Sequence, residues 1–267
     1  MNTPVAPSFG AALREWRKSR GMSQLDLALS AQSSARHLSF LENDRSRPSR
    51  AMVLRLAEAL DVPLRERNAL LASAGFAAMF RETPLEAGAM REVRRALSLM
   101  LDKQEPYPAL VIDRGWQVIM TNTACARLMS LLDLGPGGQP LNLLRLMLHP
   151  AGLRSAIEDW EAGARMLLLQ VRRELAAGND AVLATLLREM LGYPGVAALE
   201  DRTPDARAMP VLPLTLSSNG LRLSWFTTIT TFGTPQDVTM QELRVEMFYP
   251  ADETTDRFAR DLAGSAH

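Results

Sequence analysis

The sequence predicts an all-α domain of five short helices, followed by an α+β domain with an antiparallel sheet. Within the first 80 residues, five amphipathic segments follow one another at helical spacing, with turns of only a few residues between them. From Tyr107 onward, two short β-rich runs precede several helical segments, and further β-rich runs follow near the end of the chain. Strands, then helices, then strands in this order indicate an antiparallel sheet with helices packed against it.

The first domain, residues 1–80, has clear starting and ending signals for its helices. Ser23 and Ser34 stand where N-caps are expected, and Gly21 and Gly75 can end the first and fifth helices. The five segments are FGAALREWRKSRG, SQLDLALS, SARHLSFLE, SRPSRAMVLRLAEALDVP and LRERNALLASAGF. Their apolar faces are long enough to build one common core.

The charges of the chain are unevenly distributed, although the formal net charge of the 267 residues is zero. Residues 1–80 carry 11 Lys and Arg against 7 Asp and Glu, and residues 81–267 carry the other 19 against 23. Because DNA is a polyanion, a mildly basic first domain on an acidic remainder is typical of a DNA-binding module joined to another function.

The third helix has the composition of a surface that reads DNA. Projected at about 100° per residue, Leu38 and Leu41 lie on the inward side. The opposite side carries a guanidinium, a hydroxyl, an aromatic ring and an amide, which contact base edges and thymine methyls. With the flanking phosphate contacts, the predicted DNA-binding residues are Gln24, Ser34, Ala35, Arg36, Ser39, Phe40, Asn43, Arg45 and Arg47. Two alternatives stay open for Phe40, contact with a thymine methyl or packing over the domain edge.

The segment SQLDLALSAQSSARHLSFLENDRSRPS resembles the helix-turn-helix of lambda-repressor-like (XRE-family) transcription regulators. The matching positions are Ser23, Gln24, Leu27, Ala28, Ser34, Leu38, Glu42, Pro48 and Ser49. The resemblance implies that Ala35, Arg36, Ser39 and Phe40 face bases, and that Gln24 and Asn43 help to hold the DNA backbone. It also implies a buried ion pair between Arg17 and Glu42.

Two positions depart from the pattern of that family, which usually has glycine at both. Gln32 occupies the turn, where it is expected to adopt a left-handed backbone conformation at some cost. Asp44 follows the third helix, and its carboxylate is expected near the DNA side, where it would weaken contact with phosphate.

The rest of the chain divides into three parts. Residues 81–105 form a linker and a connecting helix, whose apolar stripe can pack on the next domain or pair with a second copy. Residues 106–254 form the α+β domain, with a hairpin at Arg114–Gly115, an N-cap at Asn122 and a second hairpin at Asn219–Gly220. Residues 255–267 are assigned to a C-terminal tail.

The α+β domain has large apolar side chains for either a core or a ligand pocket. The candidate ligand-binding residues are Trp116, Val118, Met120, His149, Trp160, Trp225, Thr227, Ile229 and Phe232, and all of them except His149 are expected to face inward. For each of the inward-facing residues, ordinary core packing is the alternative. A ligand carboxylate would need a cation, for which Arg222, Arg145 and His149 are the candidates, and for each of them a surface or helix-end position is the alternative.

This part of the chain resembles the ligand-binding domain of the MmyB-like subfamily of XRE regulators. The matching stretches are YPALVIDRGWQV, NLLRLMLHP, EDWE, GYPGV and TITTFGTPQDVTMQELRVEMFYPAD, and the first domain also fits this subfamily. The resemblance implies a PAS-like domain, with an antiparallel sheet cupping helices, and in some members a cavity that holds a fatty-acid-like molecule.

Other functions lack support in the sequence. Three histidines and one cysteine show no metal-ligand spacing, and we find no catalytic constellation and no other cofactor motif. The single cysteine, Cys125, suits a reducing compartment, and no apolar run is long enough for membrane insertion. We therefore expect a cytoplasmic, homodimeric regulator and not an enzyme, with double-stranded operator DNA and a small apolar ligand as partners. The alternative is a DNA-binding protein whose second domain serves only for dimerisation or protein docking.

Overall fold

The computed structural model describes residues 7–132, 141–178, 180–200, 213–218 and 220–264. Its contacts divide the chain into two compact units. The first comprises Met1–Glu82 with the short segments Glu174–Asn179 and Pro235–Gln241, and the second comprises the remainder. Along the described ranges, no helix combines the length and the apolar character that crossing a bilayer requires.

The first unit contains the five predicted helices. They are α1 (Phe9–Ser19), α2 (Gln24–Ser30), α3 (Ala35–Glu42), α4 (Arg50–Ala59) and α5 (Leu64–Ser73). The hydroxyls of Ser8, Ser23, Ser34 and Ser49 each accept a hydrogen bond from a backbone N–H in the first turn of α1 to α4, respectively. The five-helix part of the predicted fold class is therefore confirmed, together with the caps at Ser23 and Ser34.

The core of the first unit joins all five helices. Leu13, Leu27, Leu38, Leu56 and Leu71 are at most 1% exposed. The turns between the helices are tight enough to force left-handed backbone at three non-glycine residues, Gln32, Asp44 and Asp61. The φ angles of Gln32 and Asp44 are 52° and 54°, which confirms the expectation for Gln32.

The second unit is built on one antiparallel sheet, as predicted. Its strands are β1 (Ala109–Ile112), β2 (Val118–Thr121), β3 (Leu214–Ser218), β4 (Leu221–Thr230) and β5 (Arg244–Pro250), in the order β2-β1-β5-β4-β3. Its helices include α6 (Arg91–Gln104), α7 (Thr123–Leu131), α8 (Leu143–Leu148), α10 (Ala181–Leu191) and α12 (Glu253–Gly264). The longer α9 (Trp160–Ala177) and the short α11 (Val238–Glu242) each have residues in both units.

Each face of the sheet is covered by different helices. Ala109, Val111, Val245 and Met247 lie on one face and pack against Leu97 and the rest of the apolar stripe of α6. We call this the α6 face. Trp225 and Phe248 lie on the other face, where they pack with Leu128 of α7 and Ala259 of α12. We call this the α7 face, and the candidate ligand-binding residues of β4 belong to it.

Two sequence assignments differ from the structure or lie outside it. Residues 255–264, assigned to a C-terminal tail, form most of α12. The Oδ1 atom of Asp252 accepts a hydrogen bond from the N–H of Thr255, and Ala259 is buried against the sheet, so this segment has both a cap and an apolar side. The hairpin between β3 and β4 pairs Ser218 with Leu221, while Asn219 lies outside the described residues.

Candidate nucleic-acid interface and ligand-binding face

Helix α3 turns its polar flank outward, as the projection predicts. Leu38 and Leu41 are 0% and 1% exposed, so they fix the helix from behind. Arg36 is exposed, and Ala35 and Ser39 are partly exposed. The hydroxyl of Ser34 accepts from the N–H of His37 at 3.1 Å. The N-terminal turn of α3 therefore has a capped start and an accessible outer side, which is the geometry of a helix that enters a major groove.

Phe40 lies one turn beyond Arg36 and is partly buried. The guanidinium carbon of Arg36 is 5.5 Å from the centre of the Phe40 ring, within the range of a cation–π contact. The two residues thus place a positive charge next to an aromatic ring on the outer flank of α3.

Glu42, at the end of α3, is the polar centre of the first unit. Its side chain is 0% exposed, and its Oε1 accepts from Arg17 Nε at 2.6 Å. Its Oε2 accepts from Arg17 Nη2 and from Gln24 Nε2, both at 2.9 Å. Burial alone would raise the pKa of Glu42, but the hydrogen bonds from Arg17 and Gln24 outweigh it and hold that pKa below its usual value. The ion pair implied by the family resemblance is confirmed.

Gln24 and Asn43 both bond within the protein. The Gln24 amide is held by Glu42, and Asn43 Nδ2 donates to the carbonyl of Ser39 at 2.7 Å. Asn43 Oδ1 accepts from Arg14 Nη2 at 2.8 Å, and the same nitrogen donates to the carbonyl of Glu42 at 2.7 Å. Arg14 was missed in the sequence, although its position one helical turn before Arg17 places both on the same side of α1.

Asp44 corrects an expectation from the sequence. Its carboxylate is turned toward the start of α1, where it accepts from the hydroxyl of Ser8 at 2.6 Å and from the N–H of Gly10 at 3.0 Å. It therefore acts as an acceptor for the N-terminus of a helix and stabilises the contact between α1 and the end of α3. Gly10 permits this approach, because a Cβ there would lie 2.5 Å from the carbonyl oxygen of Leu41.

Substitution of Asp44 separates these bonds from the backbone strain. We expect Asp44→Ala to lower the free energy of unfolding by roughly 2 kcal/mol, through lost hydrogen bonds and a methyl group at positive φ. Asp44→Gly loses the same bonds but tolerates the φ angle, so we expect it to cost about 1 kcal/mol less. Urea unfolding of both variants measures the difference, and equal losses would show that the φ angle contributes nothing.

Arg45 and Arg47, predicted to meet phosphates, follow α3 and are exposed. No ion pair engages either of them within the described ranges. Their guanidinium groups are therefore available beside the outer flank of α3, together with Arg36. The structure brings all nine predicted DNA-binding residues to α3 and its two flanks, with Gln24 directed inward.

The nine candidate ligand-binding residues do not form one cluster. Trp225, Thr227 and Ile229 belong to the α7 face, whereas Met120 and Phe232 pack with α6 on the opposite face. Val118 is partly buried on β2, next to the register shift between β1 and β2. Trp116 and Trp225 are 2% and 1% exposed, so they are core residues. This agrees with the alternative of ordinary core packing. The indole N–H of Trp160 donates to the carbonyl of Met147 at 2.9 Å, and His149 is an exposed residue in edge contact with Tyr193.

Thr227 and Ile229 do not face inward as expected. Both are exposed in the structure, Ile229 by 46%. The reason is that α7 and α12 cover the part of β4 around Leu223 and Trp225 and leave the following residues of the strand open. The α7 face therefore contains a closed core at one end of β4 and an accessible surface at the other.

The two arginines proposed to receive a ligand carboxylate are already paired. Arg145 binds Glu189 through Nε and Nη2, at 2.8 and 2.7 Å, and this contact lowers the pKa of Glu189 to about 2. Arg222 binds Glu158 in the same two-pronged way, at 3.0 and 2.9 Å. Neither is free to receive a carboxylate without losing a charged partner.

The second unit also has an open cleft of about 490 Å³ between the β1–β2 turn and helices α8 and α10. Asp113, Arg145 and Glu189 are among its lining residues, with Val182 and Leu186 as apolar neighbours. None of the nine candidate residues lines this cleft. Its charged walls suit a polar molecule better than an apolar one.

Comparison with known proteins adds two family matches. A helix-turn-helix family model matches residues 13–67, and the model of the MmyB-like transcription regulator ligand binding domain matches residues 93–262. No curated protein matches the chain. Among solved structures, the chain is similar to one described as "Structure of an RNA-binding Light-Oxygen-Voltage Receptor", at 11% identity over 96% of this chain, with a TM-score of 0.29. The chain spans 62% of the length of that structure.

Proposed function

Because this chain belongs to the MmyB-like transcription regulators, we propose that it binds operator DNA through α3 and that its second unit senses a small, largely apolar molecule. The two matched domains make it a ligand-regulated transcription regulator. The matched families are DNA-binding and ligand-binding domains, so the proposal includes no enzymatic activity.

The observation that carries DNA binding is the outer flank of α3. Arg36 is exposed beside Phe40, while Leu38 and Leu41 anchor the helix and Glu42 ties its end to α1 and α2. A fork of N–H donors on a rigid support is suited to a guanine edge, and exposed Arg45 and Arg47 are suited to phosphates. Ser39 supplies a hydroxyl to the same surface.

The proposed regulator acts in the cytoplasm as a homodimer. Its two reading helices would then address half-sites about 34–36 Å apart, which is one turn of the DNA helix. The ligand would change transcription only if it bound the two arrangements of the reading heads with different affinities.

For the second unit, we propose a PAS-like sensor whose ligand contacts the α7 face. The five-stranded antiparallel order, the covering helix α7 and the exposed residues Thr227 and Ile229 support this assignment. The family resemblance suggests a fatty-acid-like ligand, and the apolar side chains of this face suit its hydrocarbon chain. The full burial of Trp116 and Trp225 instead favours the alternative of a dimerisation or docking scaffold.

Arg36→Ala tests the DNA-binding proposal. We expect this variant to lose base preference at one position of the operator by about 1–3 kcal/mol, because it removes a two-pronged contact to a base edge. Selection of binding sites from a random DNA library, before and after the substitution, measures this preference.

Arg47→Ala is the matched control, since it also removes one exposed arginine. A phosphate contact carries no base information, so we expect weaker binding to all DNA sequences by a similar factor. We also expect the slope of the logarithm of the binding constant against the logarithm of the salt concentration to become shallower by about one. Unchanged selectivity in Arg36→Ala, with the same uniform weakening as in Arg47→Ala, would contradict the role of Arg36. Absence of any selected sequence in the unsubstituted protein would contradict the proposal itself.

A further inference from the structure

The α7 face carries a carboxylic acid at its centre. Glu246 lies on β5, the central strand of the sheet, with Leu110 of β1 on one side and Ile229 of β4 on the other. Cross-strand partners share a face, so Glu246 belongs to the same surface as Trp225, Thr227 and Ile229. It was not among the candidate residues.

Glu246 has no partner of its own. In the part of the chain that the structure describes, neither a hydrogen bond nor an ion pair engages its carboxyl group, and the residue is partly buried. Arg244, two residues earlier on the strand and on the same face, forms no ion pair with this carboxyl group, although its charge acts on it. Its guanidinium carbon lies 4.7 Å from the centre of the Trp116 ring, and its Nη2 donates to the carbonyl of Asp113 at 3.4 Å.

The neighbours of Glu246 include a buried, neutral thiol and the cation Arg244. Cys125 of α7 is buried, and burial, followed by the charges of Glu246 and Glu105, raises the pKa of its thiol to about 12. Burial likewise raises the pKa of Glu246 to about 7, although Arg244 opposes the rise. Arg145 and Arg222 are occupied by Glu189 and Glu158, so Arg244 is the cation whose charge acts on Glu246.

We infer that the sensed molecule combines an apolar body with a protonated amine, and that Glu246 receives the amine while the body lies along Thr227 and Ile229. A carboxylate head at this position would face a like charge in a medium of low dielectric constant. An ammonium group would instead give a partly buried acid the hydrogen-bond donors that the fold does not supply. This inference rests on the proposed sensing function, and it replaces the fatty-acid head group with a cationic one.

The test uses three probes with the same chain, dodecylamine, dodecan-1-ol and dodecanoate, added at micromolar concentration to the full-length protein at pH 8. Isothermal titration is expected to show that dodecylamine binds at least roughly tenfold more tightly than dodecanoate. In Glu246→Gln, which keeps the shape of the side chain, this preference should fall to about threefold or less. Glu92→Gln, at an exposed carboxylate of α6 with the same change of charge, should keep the preference.

Three results would overturn the inference. They are equal or tighter binding of dodecanoate, a preference for the amine that survives in Glu246→Gln, and no binding of any probe by a protein that still selects operator DNA. Failure of the proposed function is a different result, because the protein would then select no DNA sequence, or a bound probe of any head group would leave its DNA binding unchanged.

Discussion

Replacement of Glu42 by alanine is expected to lower the free energy of unfolding by about 3–5 kcal/mol. The side chain is 0% exposed and receives hydrogen bonds from Arg17 and Gln24. Without it, the largely buried guanidinium of Arg17 keeps its charge but loses its counter-ion, and the amide of Gln24 loses its acceptor. Urea unfolding, followed by circular dichroism and tryptophan fluorescence, measures the loss.

Glu58→Ala is the matched control for this prediction, because Glu58 is exposed on α4. We expect it to change the free energy of unfolding by no more than about 0.5 kcal/mol. The paired Glu42 also predicts a pH effect of known sign. Its pKa is lowered in the folded state, so its stabilisation is present above the unfolded pKa of 4.5 and is lost as the pH falls below it. A loss below about 1 kcal/mol in Glu42→Ala would show that the buried contact contributes little.

Glu246 predicts a pH effect of the opposite sign. Burial raises its folded pKa to about 7 from 4.5, so the folded state binds the proton more tightly than the unfolded chain does. The stabilisation from this group is complete below pH 4.5 and is lost as the pH rises to about 7. Glu246→Gln has no such loss. We therefore expect the free energy of unfolding of the variant, relative to that of the unsubstituted protein, to rise by up to about 3 kcal/mol between pH 4.5 and about 7.

The measurement compares the free energies of unfolding of the two proteins at several pH values between 4.5 and 8. Taking the difference removes the contribution of the other titratable groups to the pH dependence. Of these groups, Arg244 and Cys125 interact with Glu246 directly, and Glu105 interacts with Cys125. A difference that stays constant across this range would show that Glu246 is solvated in the folded protein, and it would also weaken the reason for assigning it a cationic ligand.

Local signals in the sequence were sufficient to predict the helix starts and the buried side of α3 in the first unit. Ser23 and Ser34 mark helix starts through a bond that spans three residues, and Leu38 and Leu41 follow from the helical period alone. The position of Asp44 was different. Its carboxylate meets Ser8 and Gly10, which are more than 30 residues away, and no local rule predicts that approach.

The sequence predicted the antiparallel sheet of the second unit, but it did not predict which candidate residues are exposed or free of partners. Alternation along β4 places Trp225, Thr227 and Ile229 on one face, yet which of them is covered depends on where α7 and α12 end. Likewise, the engagement of Arg145 by Glu189 joins α8 to α10, so the sequence alone offered an apparently free cation. The acid at position 246 became notable only when its strand proved to be central.

The contacts of Glu42 have a consequence for how such a protein changes during evolution. One carboxylate binds side chains of two other helices, so the first unit is held together by groups that point away from the outer flank of α3. If that flank reads DNA as proposed, we expect its residues to be exchangeable as a set at little cost in folding. We also expect α3 to move together with α1 and α2, because bending α3 alone would break these hydrogen bonds.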